Sequence, residues 1–290
     1  MFSPNFMAKD MSKMRTAAKM APQAYPRPPI KWAGGKGQLL AQFAALFPKT
    51  FGTYHEPFLG GGAVFFRLNP SRAVLMDNNS ELMGFYLAVR DDLDALLENL
   101  EVHRNEEAYY YAMRGTDPAT LSPVERASRF LYLNKTSFNG LWRVNRCGQH
   151  NVPFGRYKNP KYADVHNLRL VSDALRHAQI NCSDFCLAIE RVGKGDFVYL
   201  DPPYHPLSAT ANFTSYSAAS FGAADQERLA TMFRRMTQKG CLVMLSNSDT
   251  PFIRKLYQGY NVRTVRARRA INCRGAGRGP VSELVIRNYE

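Results

Sequence analysis

The segment GTYHEPFLGGGAVFFRL, residues 52–68, joins a strand-like run to a helical run through three consecutive glycines. The first half predicts a strand, the second half opens a helix, and Gly60, Gly61 and Gly62 predict the turn between them. Glycine permits positive φ and lets a ligand approach the backbone closely. These glycines do not match GxGxxG, and taken alone they are equally well explained as a tight strand-to-helix turn.

Strand and helix patterns alternate on both sides of this segment. AVLMD, residues 73–77, predicts a second strand that ends in an acid, and FVYL, residues 197–200, predicts a third. Helical patterns are predicted over 38–47, 81–100, 106–135 with a break near Pro123, and 225–240. This alternation predicts an α/β fold with a mostly parallel sheet, in which the carboxyl ends of neighbouring strands meet at one crevice.

The charge balance points to a polyanionic partner. The 290 residues carry a net charge of +14, and residues 261–280 contain six arginines and no acid. A nucleic acid explains this asymmetry better than a solvated basic face does. No apolar run approaches the roughly 20 residues that span a bilayer, and the basic N-terminus lacks the apolar core of a secretory signal. We therefore expect no membrane partner.

The five cysteines include no CxxC pair, which favours reduced structural thiols in a cytoplasmic protein and no metal site. Residues 1–28 show no clear apolar period and are predicted to form a flexible arm. Residues 136–165 are polar, aromatic and basic with several turn signals, and they predict an inserted surface rich in loops or hairpins.

Two further features suggest a nucleoside-containing ligand in the crevice. Asp77, at the end of its strand, is placed to accept hydrogen bonds from both hydroxyls of a ribose; the alternative is that it caps the next helix. The segment KWAGGK, residues 31–36, is a cationic, aromatic loop suited to a ligand carboxylate and a flat ring. Alone, this loop would be interpreted as a basic surface turn.

The stretch FVYLDPPY, residues 197–204, ends a strand in an unusual way. Pro202 and Pro203 remove backbone donors, so the Asp201 carboxylate and the backbone carbonyls remain as acceptors, while Tyr204 adds a flat face. Acceptors beside an aromatic ring suit an amine on an aromatic base. The alternative is a strand that ends in a proline turn with a capping aspartate.

KWAGGK, EPFLGGG and DPPY, in this order, resemble the D12-class adenine-N6 DNA methyltransferases, which use S-adenosylmethionine. Longer segments resemble the Dam subgroup, which methylates adenine in GATC: LYLNKTSFNGLWRVN at 131–145, NVPFGRYKNP at 151–160, PLSATANFTSY at 206–216 and the tail RRAIN…VSELVIRNY. The resemblance covers about residues 29–289 and leaves out the N-terminal arm.

The resemblance implies a Rossmann-like, S-adenosylmethionine-dependent methyltransferase sheet with an inserted, mainly helical DNA-recognition domain that carries a β-hairpin. Residues 29–84 and 166–290 would form the catalytic domain, and residues 85–165 the recognition domain. It also implies double-stranded DNA as the partner, and we expect a monomer in solution.

The same resemblance assigns roles to individual residues. The S-adenosylmethionine pocket would be lined by Trp32, Lys36, Glu56, Pro57, Phe58, Gly60, Gly62, Asp77 and Asp201. The target adenine would be held by Asp201, Pro202, Pro203 and Tyr204. DNA would be contacted by Lys31, Phe138, Asn139, Leu141, Arg143, Pro153, Asn212, Arg268 and Arg269. Phe138 stands where the subgroup commonly has tyrosine; phenylalanine keeps the face on which a base can stack but lacks the hydroxyl. The segment RGAGRG at 274–279 departs from the more polar run that the subgroup usually has there.

Two alternatives remain at this point. The acceptor could be another amine, cytosine N4 or an RNA base, because DPPY alone does not distinguish these. The protein could also be a DNA-binding regulator that keeps the fold without catalysis.

Overall fold

In the computed structural model, which describes residues 25–206, 221–268 and 280–290, seven strands form a single sheet. The strands are β1 (Tyr54–Glu56), β2 (Ala73–Asp77), β3 (Ala178–Cys182), β4 (Phe197–Leu200), β5 (Leu242–Ser248), β6 (Asn261–Arg268) and β7 (Pro280–Arg287). Their order across the sheet is β3-β2-β1-β4-β5-β7-β6.

Five neighbouring strands pair in parallel, in the spatial order β3, β2, β1, β4, β5. Strand β7 pairs antiparallel with both β5 and β6. The prediction of an α/β fold with a mostly parallel sheet is therefore confirmed. The chain moves outward from β1 through β2 to β3 and then returns to β4 on the other side of β1. The order thus reverses between β1 and β4, and ligands of such sheets bind outside the carboxyl ends of the strands at this point.

The sheet is accompanied by ten α-helices among the described residues. They are α1 (Leu40–Phe43), α2 (Ala63–Leu68), α3 (Ser80–Asp91), α4 (Leu93–Leu100), α5 (Glu107–Gly115), α6 (Pro123–Thr136), α7 (Val165–Leu175), α8 (Ala188–Arg191), α9 (Ala223–Gln238) and α10 (Pro251–Leu256). Short 3₁₀ turns lie at Lys36–Gln38, Pro118–Thr120, Phe138–Gly140 and Phe185–Leu187.

Two of the predicted helices differ from the structure. The single helix predicted over 81–100 is wrong, because Asp92 adopts φ −134° and ψ 37° and separates α3 from α4. The pattern over 38–47 yields only the end of a 3₁₀ turn and the four residues of α1. The predicted break near Pro123 is confirmed, since Ser122 and Glu125 form a reciprocal capping box that starts α6.

Two apolar layers cover the two faces of the sheet. In β4, Phe197 and Tyr199 join one core with residues of α3 to α7, whereas Val198 and Leu200 join a second core with residues of α8 to α10. This is the alternation that a strand buried on both faces produces. The predicted domain boundary at residue 85 falls inside α3, and α4 to α6 share the first core with the sheet. The division into two domains stays a prediction.

The segment predicted to carry a hairpin is held by two isolated antiparallel bridges, between Ser137 and Phe154 and between Val144 and His150. The Asn145 N–H also donates to the Gln149 carbonyl at 2.8 Å, near the turn of this segment. Among the residues described, no helix is long and apolar enough to span a bilayer.

Candidate active site

The carboxyl edge of the sheet opens into a cleft of about 1580 Å³. It is lined by all the predicted cofactor and catalytic residues: Trp32, Lys36, Glu56, Pro57, Phe58, Gly60, Gly62, Asp77, Asp201, Pro202, Pro203 and Tyr204. The strands bring these residues together because β1, β2 and β4 run parallel and end at the same edge. Their roles as ligand-binding residues remain predictions.

Asp77 at the end of β2 holds the glycine turn in place. The Gly60 N–H donates to Asp77 Oδ2 at 3.0 Å, and the Asn79 N–H donates to Oδ1 at 3.0 Å. The alternative in which Asp77 caps the next helix is wrong, because the N-cap of α3 is Asn79, whose side chain accepts from the Leu82 N–H. Burial raises the pKa of Asp77, and these backbone donors oppose the rise.

The glycine turn leaves room for a side chain of the protein itself. A Cβ at Gly60, where φ is +47°, would lie 2.7 Å from Trp32 Cδ1, and one at Gly61 would lie 3.2 Å from Trp32 Cβ. Trp32 therefore rests directly on the turn, with its ring centroid 6.4 Å from that of Phe130 on α6. The close approach that the glycines permit is thus made, at least in part, by the KWAGGK loop.

Lys36 reaches from this loop to Asp201. Its Nζ lies 2.7 Å from Asp201 Oδ1, with only 6% of the lysine side chain and 18% of the aspartate side chain exposed. The same Nζ donates to the Gly34 carbonyl at 2.6 Å and lies 4.8 Å from the centroid of the Tyr204 ring. Burial raises the pKa of Asp201 to about 6, and the positive charge of Lys36 opposes the rise.

Tyr204 is held by a residue that the sequence analysis did not identify. Its hydroxyl donates to Glu283 Oε2 at 2.7 Å. Glu283 lies on β7 opposite Ser248 at the carboxyl end of β5, so antiparallel pairing brings it to the same edge as Asp201. A lone carboxylate in the strand sequence VSELVI could have marked Glu283 as unusual, although nothing local marks Tyr204 as its partner.

The backbone of the DPPY segment is also anchored. Gln226 Nε2 donates to the Pro203 carbonyl at 2.9 Å, and Asn247 Nδ2 in turn donates to Gln226 Oε1 at 2.9 Å. The Pro203 carbonyl is therefore already occupied as an acceptor. Within the described ranges, no hydrogen bond is donated to the Pro202 carbonyl.

Glu56, at the end of β1, is more deeply buried than Asp77 and Asp201 at the ends of the neighbouring strands. It is 2% exposed, and the Tyr54 hydroxyl donates to its Oε2 at 2.8 Å. Burial raises the pKa of Glu56 well above its usual value, and the charge of Asp201 raises it further. Of Glu56, Asp77 and Asp201, the three carboxylates at the ends of β1, β2 and β4, only Asp201 is paired with a cation among the described residues.

Several predicted DNA-contacting residues lie on the surface beside the cleft. Phe138 is 51% exposed, Asn139 adopts φ 55°, and the Phe138 N–H donates to the Pro153 carbonyl at 2.9 Å. Lys31, Asn139, Arg143 and Pro153 are exposed, and Leu141 is half-buried. Asn212 and Arg269 lie outside the described residues, as does the side chain of Arg268 at the end of β6.

Arg143 is held in a defined orientation. Its Nε donates to Asn151 Oδ1 at 2.7 Å, and its Nη2 lies 3.3 Å from the Asn151 carbonyl oxygen. Both bonds run to the opposite arm of the bridged segment, so the guanidinium group is fixed on the exposed side of that segment.

Comparisons with known proteins identify the family. The D12 class N6 adenine-specific DNA methyltransferase family matches residues 32–271. The type II methyltransferase M1.LlaDCHI of Lactococcus lactis subsp. cremoris is 42% identical over 271 residues, covering 91% of this chain and 95% of that protein. The type II methyltransferase M.MjaIII of Methanocaldococcus jannaschii is 42% identical over 286 residues, covering 91% and 99%.

The DNA adenine methylase of Escherichia coli (strain K12) is 38% identical over 260 residues, covering 88% of this chain and 93% of that protein. These matches set aside cytosine N4, an RNA base and a non-catalytic regulator, whereas the Dam subgroup and GATC stay predictions. The chain therefore belongs to the D12 class of N6-adenine-specific DNA methyltransferases.

Proposed function

We propose that this enzyme transfers a methyl group from S-adenosylmethionine to N6 of an adenine extruded from duplex DNA, with GATC as its sequence. The observation that carries the proposal is the position of Asp201 and the Pro202 carbonyl at the end of β4, in the same cleft as Asp77 and the glycine turn. An amine acceptor site and a nucleoside site thus share one cavity.

The donor set of the cleft fits S-adenosylmethionine, which the family implies. Each Asp77 oxygen accepts one backbone N–H and keeps a second lone pair for a ribose hydroxyl. Ser183 lines the cleft, and its buried Oγ has no hydrogen-bond partner among the described residues. Trp32, Phe58 and Phe185 give the cleft flat apolar walls. When bound, S-adenosylmethionine supplies an electrophilic methyl group on a sulfonium.

Asp201 and the Pro202 carbonyl are the acceptors proposed for the two N6 hydrogens of adenine. Accepting both hydrogens draws the nitrogen lone pair out of conjugation with the ring and leaves it free to attack. Lys36 now occupies Asp201 Oδ1 at 2.7 Å, so the amine must share or displace this contact. In exchange, Lys36 keeps the carboxyl group ionised at neutral pH, because its charge opposes the effect of burial on the pKa.

Tyr204 is the proposed stacking surface for the extruded base. Extrusion costs a few kcal/mol, and stacking on an aromatic side chain returns about 1–3 kcal/mol. The hydrogen bond to Glu283 fixes the ring before the base arrives, so little side-chain entropy is lost on binding. Gln226, which donates to the Pro203 carbonyl, fixes the backbone that precedes this ring.

We further propose that residues 85–165 form the inserted recognition unit. Phe138 would act as the wedge beside the extruded base, and Arg143 would make a bidentate contact with guanine O6 and N7. Leu141 and Pro153 suit a thymine methyl group, and Arg268 and Arg269 would meet phosphates. The bonds of Arg143 to Asn151 support this assignment, because a fixed guanidinium loses less entropy on binding.

The direct test of the reaction is Asp201→Ala, which removes the carboxylate acceptor. We expect the rate of methyl transfer to fall at least ~100-fold, as when a transition-state hydrogen bond is removed elsewhere, while duplex affinity changes little. The measurement is tritium transfer from labelled cofactor, with mass spectrometry of nucleosides to identify N6-methyladenine. Asp173→Ala on the exposed face of α7 is the control. Retained turnover in Asp201→Ala would refute the mechanism.

The pH dependence of kcat/KM tests the role of Lys36. The Asp201 carboxyl group must be ionised to accept from the amine, so kcat/KM should fall as the pH drops through about 6. Lys36→Met removes the charge that lowers this pKa, so the midpoint of the acidic limb should move to higher pH. An unchanged midpoint in the variant would show that another group controls the limb.

Sequence readout is tested with Arg143→Ala on duplexes that differ at one position of GATC. Loss of a bidentate guanine contact should reduce discrimination at one position by about 1–3 kcal/mol and leave the others unchanged. Arg146→Ala, an exposed arginine of the same segment, serves as the control and should not alter base preference. Equal discrimination in Arg143→Ala and wild type would contradict the assignment.

A further inference from the structure

An asparagine on α6 binds the backbone of the loop that enters the active site. Asn134 is fully buried; its Oδ1 accepts from the Lys31 N–H at 2.9 Å, and its Nδ2 donates to the Lys31 carbonyl at 2.7 Å. One side-chain amide therefore satisfies both backbone groups of a single residue, as a neighbouring strand would. Lys31 is the first residue of the KWAGGK loop.

The same amide lies against the proposed recognition turn, residues 137–141. Asn134 Nδ2 is 3.4 Å from the Gly140 carbonyl oxygen. Gly140 adopts φ +65°, and a Cβ there would lie 2.9 Å from Lys31 Cβ, so the Lys31 side chain packs directly on the turn. Beyond this contact, Lys31 Nζ lies 4.9 Å from the centroid of the Tyr157 ring.

The other end of the loop lies in the cofactor cleft. Trp32 rests on Gly60, whose N–H donates to Asp77, and Lys36 pairs with Asp201. Residues 31–36 thus touch the recognition turn at one end and the proposed cofactor and adenine sites at the other. A shift of the loop on cofactor binding would be transmitted to the turn through Lys31, at the point where Asn134 binds it.

We propose that Asn134 is a positioning residue that couples cofactor binding to DNA binding by joining the KWAGGK loop to the recognition turn. This rests on the proposed function, in which the two ends of the loop serve the two substrates. Cofactor binding restricts the conformation of the loop. Through its contacts with Lys31 and Gly140, Asn134 extends this restriction to the recognition turn, which places Phe138 and Arg143 for contact with DNA. By thermodynamic linkage, DNA binding tightens cofactor binding by the same factor.

The chain contains a matched control for the loss of these bonds. Asn167 on α7 binds Arg27 in the same way: its Oδ1 accepts from the Arg27 N–H at 2.9 Å, and its Nδ2 donates to the Arg27 carbonyl at 2.9 Å. Asn167 is 5% exposed, and Arg27 lies outside the KWAGGK loop. Asn167→Ala therefore removes a similar pair of buried bonds without touching the proposed junction.

The test measures the dissociation constant of a GATC duplex with and without sinefungin, a non-reactive analogue of S-adenosylmethionine. In the wild type, the analogue should tighten duplex binding at least about fivefold, the lower end of typical coupling between sites. In Asn134→Ala this factor should fall to within about twofold of unity, and in Asn167→Ala it should match the wild type. A full factor in Asn134→Ala, an equal loss in Asn167→Ala, or no factor in the wild type would overturn the proposal.

Hydrogen exchange in the wild type keeps the proposal testable if Asn134→Ala fails to fold. Sinefungin alone should slow exchange at the Phe138, Gly140 and Leu141 amides, which donate to the carbonyls of Pro153, Ser137 and Phe138. Unchanged exchange at these amides would overturn the coupling. Failure of the proposed function would instead appear as absence of duplex binding or of N6-methyladenine in the wild type, so the two failures are distinguishable.

Discussion

Asp201 stands at the carboxyl end of a central strand, largely out of water, with Lys36 Nζ 2.7 Å from its Oδ1. Without that cation, burial would favour the protonated acid, and a protonated carboxyl group donates a hydrogen bond where the proposed reaction needs an acceptor. The KWAGGK loop is arranged around this requirement. The Gly34 carbonyl holds the ammonium group, and Trp32 packs on the glycine turn, which brings Lys36 across the cleft.

The sheet supplies the geometry that this pair needs. Parallel pairing of β1, β2 and β4 sets Glu56, Asp77 and Asp201 at one edge, where like charges would repel. The molecule separates their roles: Asp77 accepts backbone N–H groups, Asp201 pairs with Lys36, and burial favours the neutral form of Glu56. The antiparallel strand β7 then adds Glu283, which fixes the Tyr204 ring beside the acceptors.

Local patterns in the sequence predict the parts of this site that are local in the chain. Strands that end in Asp77 and Asp201, the turn at Gly60 and the proline-rich end of β4 all follow from short runs of residue types, and the structure places them at one cleft. Contacts between distant segments carry no such signal. Tertiary packing creates three such contacts: the pairing of Lys36 with Asp201, the hydrogen bond from Tyr204 to Glu283, and the bonds of Asn134 to Lys31 and Gly140. The break at Asp92 likewise has no local signal, because the apolar periodicity of the sequence continues across it while the helix ends.

In the proposed reaction, the Lys36–Asp201 pair provides an ionised acceptor for the adenine amine. A crystal structure of the enzyme with sinefungin and a GATC duplex tests it most directly. We expect an extruded adenine stacked on Tyr204, with N6 within hydrogen-bond distance of the Asp201 carboxylate and the Pro202 carbonyl. An adenine bound elsewhere in the cleft, with Asp201 still paired only with Lys36, would contradict it.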